Sequence, residues 1–248
     1  MATVLMPLPD EGFDVTEVAV PWRVLTDAGH RVVFATETGR APAADPLLLR
    51  GVIFGKLGAE PEPKDFYARL AADDAFRAPI AWADLDVQTF DGLVLAGGHA
   101  PGMRQYLGSR LLADRAAEFW RLERPVGAIC HGVLVLARAR DADTGLSPLA
   151  HVRTTCLPKY MERASYLATF WKLGRYYRTY PAYVEEEVRS ALADPVRQFV
   201  RGPVELSRRG SATDDTHAFV VEDGRYVSGR WPGDAYLFAR RFVARLTG

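Results

Sequence analysis

Val126-Gly127-Ala128-Ile129-Cys130-His131-Gly132 carries the strongest structural signal in the chain. An apolar run of strand length ends at a cysteine, and the apolar stretch to about Ala139 continues as a helix. Small residues stand two before the cysteine (Ala128) and two after it (Gly132). A strand that turns sharply into a helix needs such neighbours, and the turn pushes its central side chain out above the sheet, as in a nucleophile elbow. At a helix N-terminus the unpaired N–H groups and the helix dipole favour a thiolate over a thiol. The backbone N–H of His131 is then placed to serve as half of an oxyanion hole. The plainer reading is a cysteine packed as a small hydrophobe at a strand end.

The same alternation extends outward from this stretch. Thr3–Pro7 reads as a buried strand, Thr16–Asp27 as a helix ended near Gly29, and Arg31–Thr36 as a second strand. Asp91–Ala96 is a third strand running into Gly97-Gly98-His99, followed by a helix over Arg110–Leu122. Strands this continuously apolar, separated by helices, belong to a parallel sheet covered on both faces, the doubly wound α/β pattern. Residues 41–89 yield only one clear element, a helix over Pro63–Ala72. Downstream, His151–Thr155 reads as a strand and Glu185–Ala193 as a helix. Ala218–Glu222 and Tyr226–Ser228 form a hairpin around Asp223-Gly224, and a helix over Asp234–Leu246 ends the pattern.

Residues 158–183 break the alternation. Six of the ten tyrosines lie there with Phe170 and Trp171, interleaved with Lys159, Arg163, Lys172, Arg175 and Arg178. Eight aromatics in so short a segment exceed what an overall aromatic content of 11% supplies. The plain account is a packing helix with snorkelling cations; the enrichment favours a dimer interface or an active-site lid. With no repeat and no linker, residues 1–248 read as a single domain with a helical insertion at about 158–197.

Composition narrows the function classes. Lys+Arg and Asp+Glu balance at 31 each, so no broad cationic field exists for nucleic acid or anionic membranes. No apolar stretch approaches the roughly 20 residues of a membrane helix, and Met-Ala-Thr-Val-Leu-Met-Pro lacks the features of a signal peptide. A cytoplasmic protein is expected. Cys130 and Cys156 are too few for a disulfide framework and have no metal-ligand spacing. By size scaling, a chain of 248 residues folds to roughly 11,000 Å² of surface and buries about 70% of what it exposes when extended. Its core therefore needs no staple.

Three further features bear on chemistry. Gly97-Gly98 after a strand lets backbone approach a ligand, and its N–H groups are a natural second half of an oxyanion hole. Glu17 opens the first helix at the carboxyl edge of the sheet, where ligands bind in open α/β folds. It also stands three residues after Asp14, a capping-box spacing that explains it without function; the residues alone leave both readings open. His99, His131 and Cys130 are conceivable metal ligands without a close-spaced motif, so no metal is expected. Cys156 reads as a packed residue and His217 as part of a solvated loop.

Gly-Phe-Asp-Val-Thr-Glu17, Leu-Val-Leu-Ala-Gly-Gly-His99, Gly-Ala-Ile-Cys130-His131-Gly and Tyr-Val-Ser-Gly-Arg-Trp-Pro-Gly-Asp-Ala occur in that order. Together they resemble the ThiJ/PfpI superfamily, whose fold is that of class I glutamine amidotransferase domains. The length and the Gly-Gly-His step are most similar to the heat-shock chaperone branch, which acts as glutathione-independent glyoxalases. The resemblance implies a flavodoxin-like doubly wound sandwich with a mostly parallel central sheet and a helical insertion. It implies Cys130 as nucleophile, His131 as acid/base, Glu17 bonded near the thiolate, and Glu162 as the acidic residue supporting the histidine. Gly98 and His131 would form the oxyanion hole, and Gly97 and His99 would line the substrate pocket. The loop His99-Ala-Pro-Gly-Met-Arg-Gln-Tyr106 and the aromatic segment depart from that branch and point to a reshaped pocket.

The expected activity is conversion of a small 2-oxoaldehyde to a 2-hydroxy acid, or removal of a carbonyl from an amine, with no cofactor. The expected partner is a small carbonyl or amide substrate, not nucleic acid or membrane, and the expected assembly is a homodimer. The alternatives are an amidase or peptidase-like hydrolase, a metabolite hydratase using the same Cys-His pair, and a holdase chaperone or redox sensor without turnover.

Overall fold

The structure, a computed structural model, describes residues 1–52, 57–178 and 180–247. Seven strands form the central sheet: β1 (Thr3–Pro7), β2 (Arg31–Thr36), β3 (Ile80–Ala81), β4 (Gly92–Leu95), β5 (Val126–Ile129), β6 (Val220–Asp223) and β7 (Tyr226–Gly229). Their order is β3-β2-β1-β4-β5-β7-β6, parallel throughout except for the antiparallel β6–β7 hairpin. The inner strands are continuously apolar because helices cover both faces; β4 and β5 are buried at every residue. Among the described residues a second, small sheet pairs Glu11–Phe13 with Ala43–Ala44 beside the carboxyl ends of the main strands.

The longer helices are α1 (Val15–Asp27), α2 (Pro61–Leu70), α3 (Arg110–Arg121), α4 (Val133–Arg138), α5 (Lys159–Leu173), α6 (Val184–Ser190) and α7 (Ala235–Thr247). Helices α1 and α7 pack together on one face, and α3 with α4 cover the other. Asp14 starts α1: its carboxylate accepts the N–H groups of Thr16 and Glu17 at 2.8 and 3.1 Å, satisfying donors the helix leaves open. The folded surface is 10768 Å², close to what length alone predicts. No helix among the described residues is long and apolar enough to cross a membrane.

Two of the differences between the expected and observed elements concern strands. His151–Thr155 forms no strand; Thr154 makes only an isolated bridge to Phe199. Its neighbours' backbone donors go to side chains instead, Arg153 N–H to Asp223 and Thr155 N–H to Ser228 Oγ. The two-residue β3 was not expected at all, since an edge strand that short has no pattern to detect. Within the insertion, α5 buries Met161, Glu162 and Thr169, while Leu167, Phe170 and Trp171 stay half exposed or more.

Candidate active site

Backbone geometry at the end of β5 creates the site. Cys130 has φ +57°, a left-handed conformation uncommon for a residue with a side chain and characteristic of strained functional turns. The chain passes through a 3₁₀ turn, Cys130–Gly132, into α4. At Gly132 a Cβ would lie 2.2 Å from the carbonyl oxygen of Leu95, so no side chain fits there. At Gly97 a Cβ would lie 2.7 Å from the His131 nitrogen and 3.1 Å from Cys130 Cβ. These two glycines let the ends of β4 and β5 meet backbone to backbone. Gly97 thus packs on the cysteine, whereas Gly98 lies against Gly12 and Asp14.

Glu17 enters from the first turn of α1. It is fully buried, accepts the Gly97 N–H at 2.8 Å and is hydrogen-bonded to Cys130. Burial first, and then the nearby Asp14, push its carboxyl well above the ordinary range. Asp14 itself rises to about 6, chiefly through burial. The capping-box spacing is real in Asp14, but the Glu17 side chain points to the sheet edge instead of back to its own helix.

His131 Nδ1 lies 3.4 Å from Cys130 Sγ. Burial, then the neighbouring His99 and Arg138, hold its imidazole well below the usual value, so it is neutral at physiological pH. The His99 ring meets it edge to face at 4.6 Å, and Tyr177 in turn meets His99 edge to face at 4.9 Å. Burial likewise lowers His99 to about 4.

Glu162 sits elsewhere. Its carboxylate accepts the Val184 N–H at 3.1 Å and lies 3.5 Å from Arg178, joining α5 to the start of α6. Burial raises it to about 7. These contacts tie it to the insertion, and the groups that shift His131 do not include it.

The thiol differs from expectation. Burial first, then the Glu17 and Asp14 carboxyls, push Cys130 well above its ordinary value, while the His131 backbone N–H pulls in the opposite direction. The helix behind the elbow is only six residues long and starts with a 3₁₀ turn, so its dipole is too small to outweigh desolvation. The resting site therefore holds a protonated thiol and a neutral imidazole beside the buried Glu17 carboxyl. An approaching electrophile can draw on a base at 3.4 Å from the sulfur and on a buried carboxyl hydrogen-bonded to the same cysteine.

Beside this cluster lies a cavity of about 280 Å³, lined by Asp14, His99, Tyr177, Arg209, Trp231 and one face of α5. His99 is the link, since it lines the cavity and touches His131; Cys130 itself is fully buried behind it. Trp231 is held by an internal ion pair, Arg230 with Asp234, both fully buried and joined at 2.9 Å through Nε and Nη2. Asp234 also accepts the Phe219 N–H. Both partners of the pair lie in the Gly-Arg-Trp-Pro-Gly-Asp stretch that carries part of the family resemblance. Nothing local signalled Arg209, a loop residue whose guanidinium lies over Trp231 at 5.3 Å. Among the described residues, no group of three or more His, Cys, Asp or Glu is placed to hold a metal ion.

A family model described as ThiJ/PfpI family-like matches residues 8–203. An uncharacterized protein of Schizosaccharomyces pombe is 30% identical over 94% of this chain and 79% of its own length. A deglycase of Pyrococcus abyssi is 25% identical, with 96% of each chain covered. The crystal structure of glyoxalase III from Candida albicans superposes with a TM-score of 0.71 at 19% identity, covering 98% of this chain and 97% of that one.

Proposed function

The chain belongs to the ThiJ/PfpI-like family, and from that premise we propose that it is a cysteine-dependent enzyme converting 2-oxoaldehydes to 2-hydroxy acids without glutathione. The observation that carries this reading is Cys130 Sγ at 3.4 Å from the neutral His131 Nδ1, with the Glu17 carboxyl bonded to the same cysteine.

The chemistry follows from these groups. The Cys130 sulfur attacks the aldehyde carbon as its proton passes to His131, forming a hemithioacetal. The His131 backbone N–H, which faces Cys130, and the N–H of Gly98 are the donors assigned to its oxygen. A proton then leaves the former aldehyde carbon and returns at the adjacent carbon, with Glu17 and His131 as carriers; this turns the hemithioacetal into a thioester of the 2-hydroxy acid. Water cleaves the carbon–sulfur bond and restores the thiol, so one 2-oxoaldehyde and one water give one 2-hydroxy acid. Glu17 suits proton transfer because it is hydrogen-bonded to Cys130 and burial favours its protonated form more than in water.

A second reading is supported by the deglycase relative: the same sulfur attack on a carbonyl carbon bearing an amine, with release of that amine. Both readings are tested by supplying methylglyoxal, free or pre-formed as an adduct with N-acetyl-lysine, without thiol. Lactate from wild type, lowered at least about 10³-fold in Cys130→Ala and about 10²-fold in Glu17→Gln, is the expected result. Lactate formation undiminished in Cys130→Ala would reject the thiol mechanism. Release of amine faster than the adduct's own dissociation would favour deglycation.

A further inference from the structure

We infer, resting on that reading of Cys130, that the natural substrate is a neutral 2-oxoaldehyde whose carbonyl carries a branched or aromatic group, and not a three-carbon compound. The cavity beside His99 is the basis. A cavity of roughly 150 Å³ lined by apolar side chains already accepts a benzene ring, and this one, open to solvent on one side, offers about 280 Å³. A three-carbon substrate would leave most of it filled by water against apolar walls.

The walls have the matching chemistry. The polar end is made by Asp14 and His99, the residues that adjoin the Glu17–Cys130–His131 cluster. Away from it the lining turns mostly apolar, with Leu157, Met161, Leu206 and Trp231 beside the small hydroxyl residues Ser165 and Thr169. Ala164 and Ala168 also face it, four residues apart on α5 and therefore on one side of the helix. Their small side chains leave room where most residues at those positions would fill it. Among the described residues the charged wall residues are one of each sign, Asp14 and Arg209, so neither sign predominates among them to favour an anionic or a cationic substrate. A carbonyl at the polar end and an apolar body along α5 satisfy both halves.

The test compares phenylglyoxal with methylglyoxal as kcat/KM in wild type, Ala168→Trp and Leu206→Trp, with 2-hydroxy acid as the product measured. Both substituted positions are exposed, so a folded protein is expected, and a thermal melt checks it. Phenylglyoxal should be preferred by at least about 10-fold, and each substitution should reduce that preference about 10-fold. A preference for methylglyoxal, or a ratio that neither substitution moves, would overturn the inference and leave the thiol mechanism standing. If wild type turns over neither compound, the mechanism fails, and the cavity is judged by calorimetric binding of acetophenone, which needs no turnover. Saturable binding weakened at least about 10-fold in Ala168→Trp would uphold the apolar-body site; no saturable binding would overturn it.

Discussion

The elbow at the end of β5 and the inserted helix α5 are built on opposite terms. At the elbow, Cys130, His131 and Glu17 are buried almost completely, and glycines at 97 and 132 allow contacts that any Cβ would block. On α5 three of fifteen residues are buried, and Trp171 is 62% exposed. One region has no spare volume and the other has almost no packing to lose. The groups proposed to react therefore sit where the backbone dictates position, while the cavity wall proposed to face the substrate sits on a sparsely packed helix. On the proposed reading, chemistry and selectivity should be separable by mutation.

The largest effect that would sharpen the contrast is at Gly132. A methyl group there meets the Leu95 and Ala96 carbonyl oxygens at 2.2 and 2.7 Å. Gly132→Ala should cost more than about 4 kcal/mol, read by chemical denaturation; a stable, active variant would show that the elbow yields. Next is Arg230→Met, which leaves the buried Asp234 carboxylate without its ion pair. It should cost about 3–5 kcal/mol and loosen Trp231, and unchanged unfolding would contradict the rigid frame assigned to the site.

A smaller effect depends on pH. Burial raises Asp14 from 3.8 to about 6, so the folded state holds a proton that the unfolded chain has released. The stability linked to that proton is complete below about pH 4 and is lost as pH rises to about 6. Asn keeps the N-cap hydrogen bonds. Asp14→Asn should therefore gain melting temperature relative to wild type across this window, by a few degrees. His99, lowered to about 4 by burial, acts with the opposite sign, adding stability as pH rises from about 4 to 6.5, and it is present in both proteins. A constant difference between the two proteins from pH 4 to 7 would refute the burial of Asp14. The smallest effect belongs to α5: Trp171→Ser should change stability by no more than about 0.5 kcal/mol, and a larger loss would mean that the exposed face is covered in solution.

The same contrast explains what was legible in the sequence. Strands Arg31–Thr36 and Val126–Ile129 are found where expected, because buried parallel strands write themselves as apolar runs. Cys130, Glu17 and Gly97 come together as expected, because the elbow and the first helix turn are local motifs whose position follows from the fold. Glu162 was expected beside His131 but engages Val184 and Arg178, since its position depends on how the insertion folds back. The state of the thiol was also illegible. It depends on burial and on carboxyls more than 100 residues away in sequence, and no local pattern encodes either. Arg209 and the cavity wall lie in loops without periodicity, so only the folded chain reveals them.

The proposed reaction turns on a carbon–sulfur bond at Cys130, which can be observed. Methylglyoxal labelled at its aldehyde carbon should give the Glu17→Gln protein a hemithioacetal carbon resonance that is absent from Cys130→Ala. Wild type should pass the same label into lactate. Lactate formed with no sulfur-bound carbon in any variant, or the same resonance in Cys130→Ala, would contradict the account.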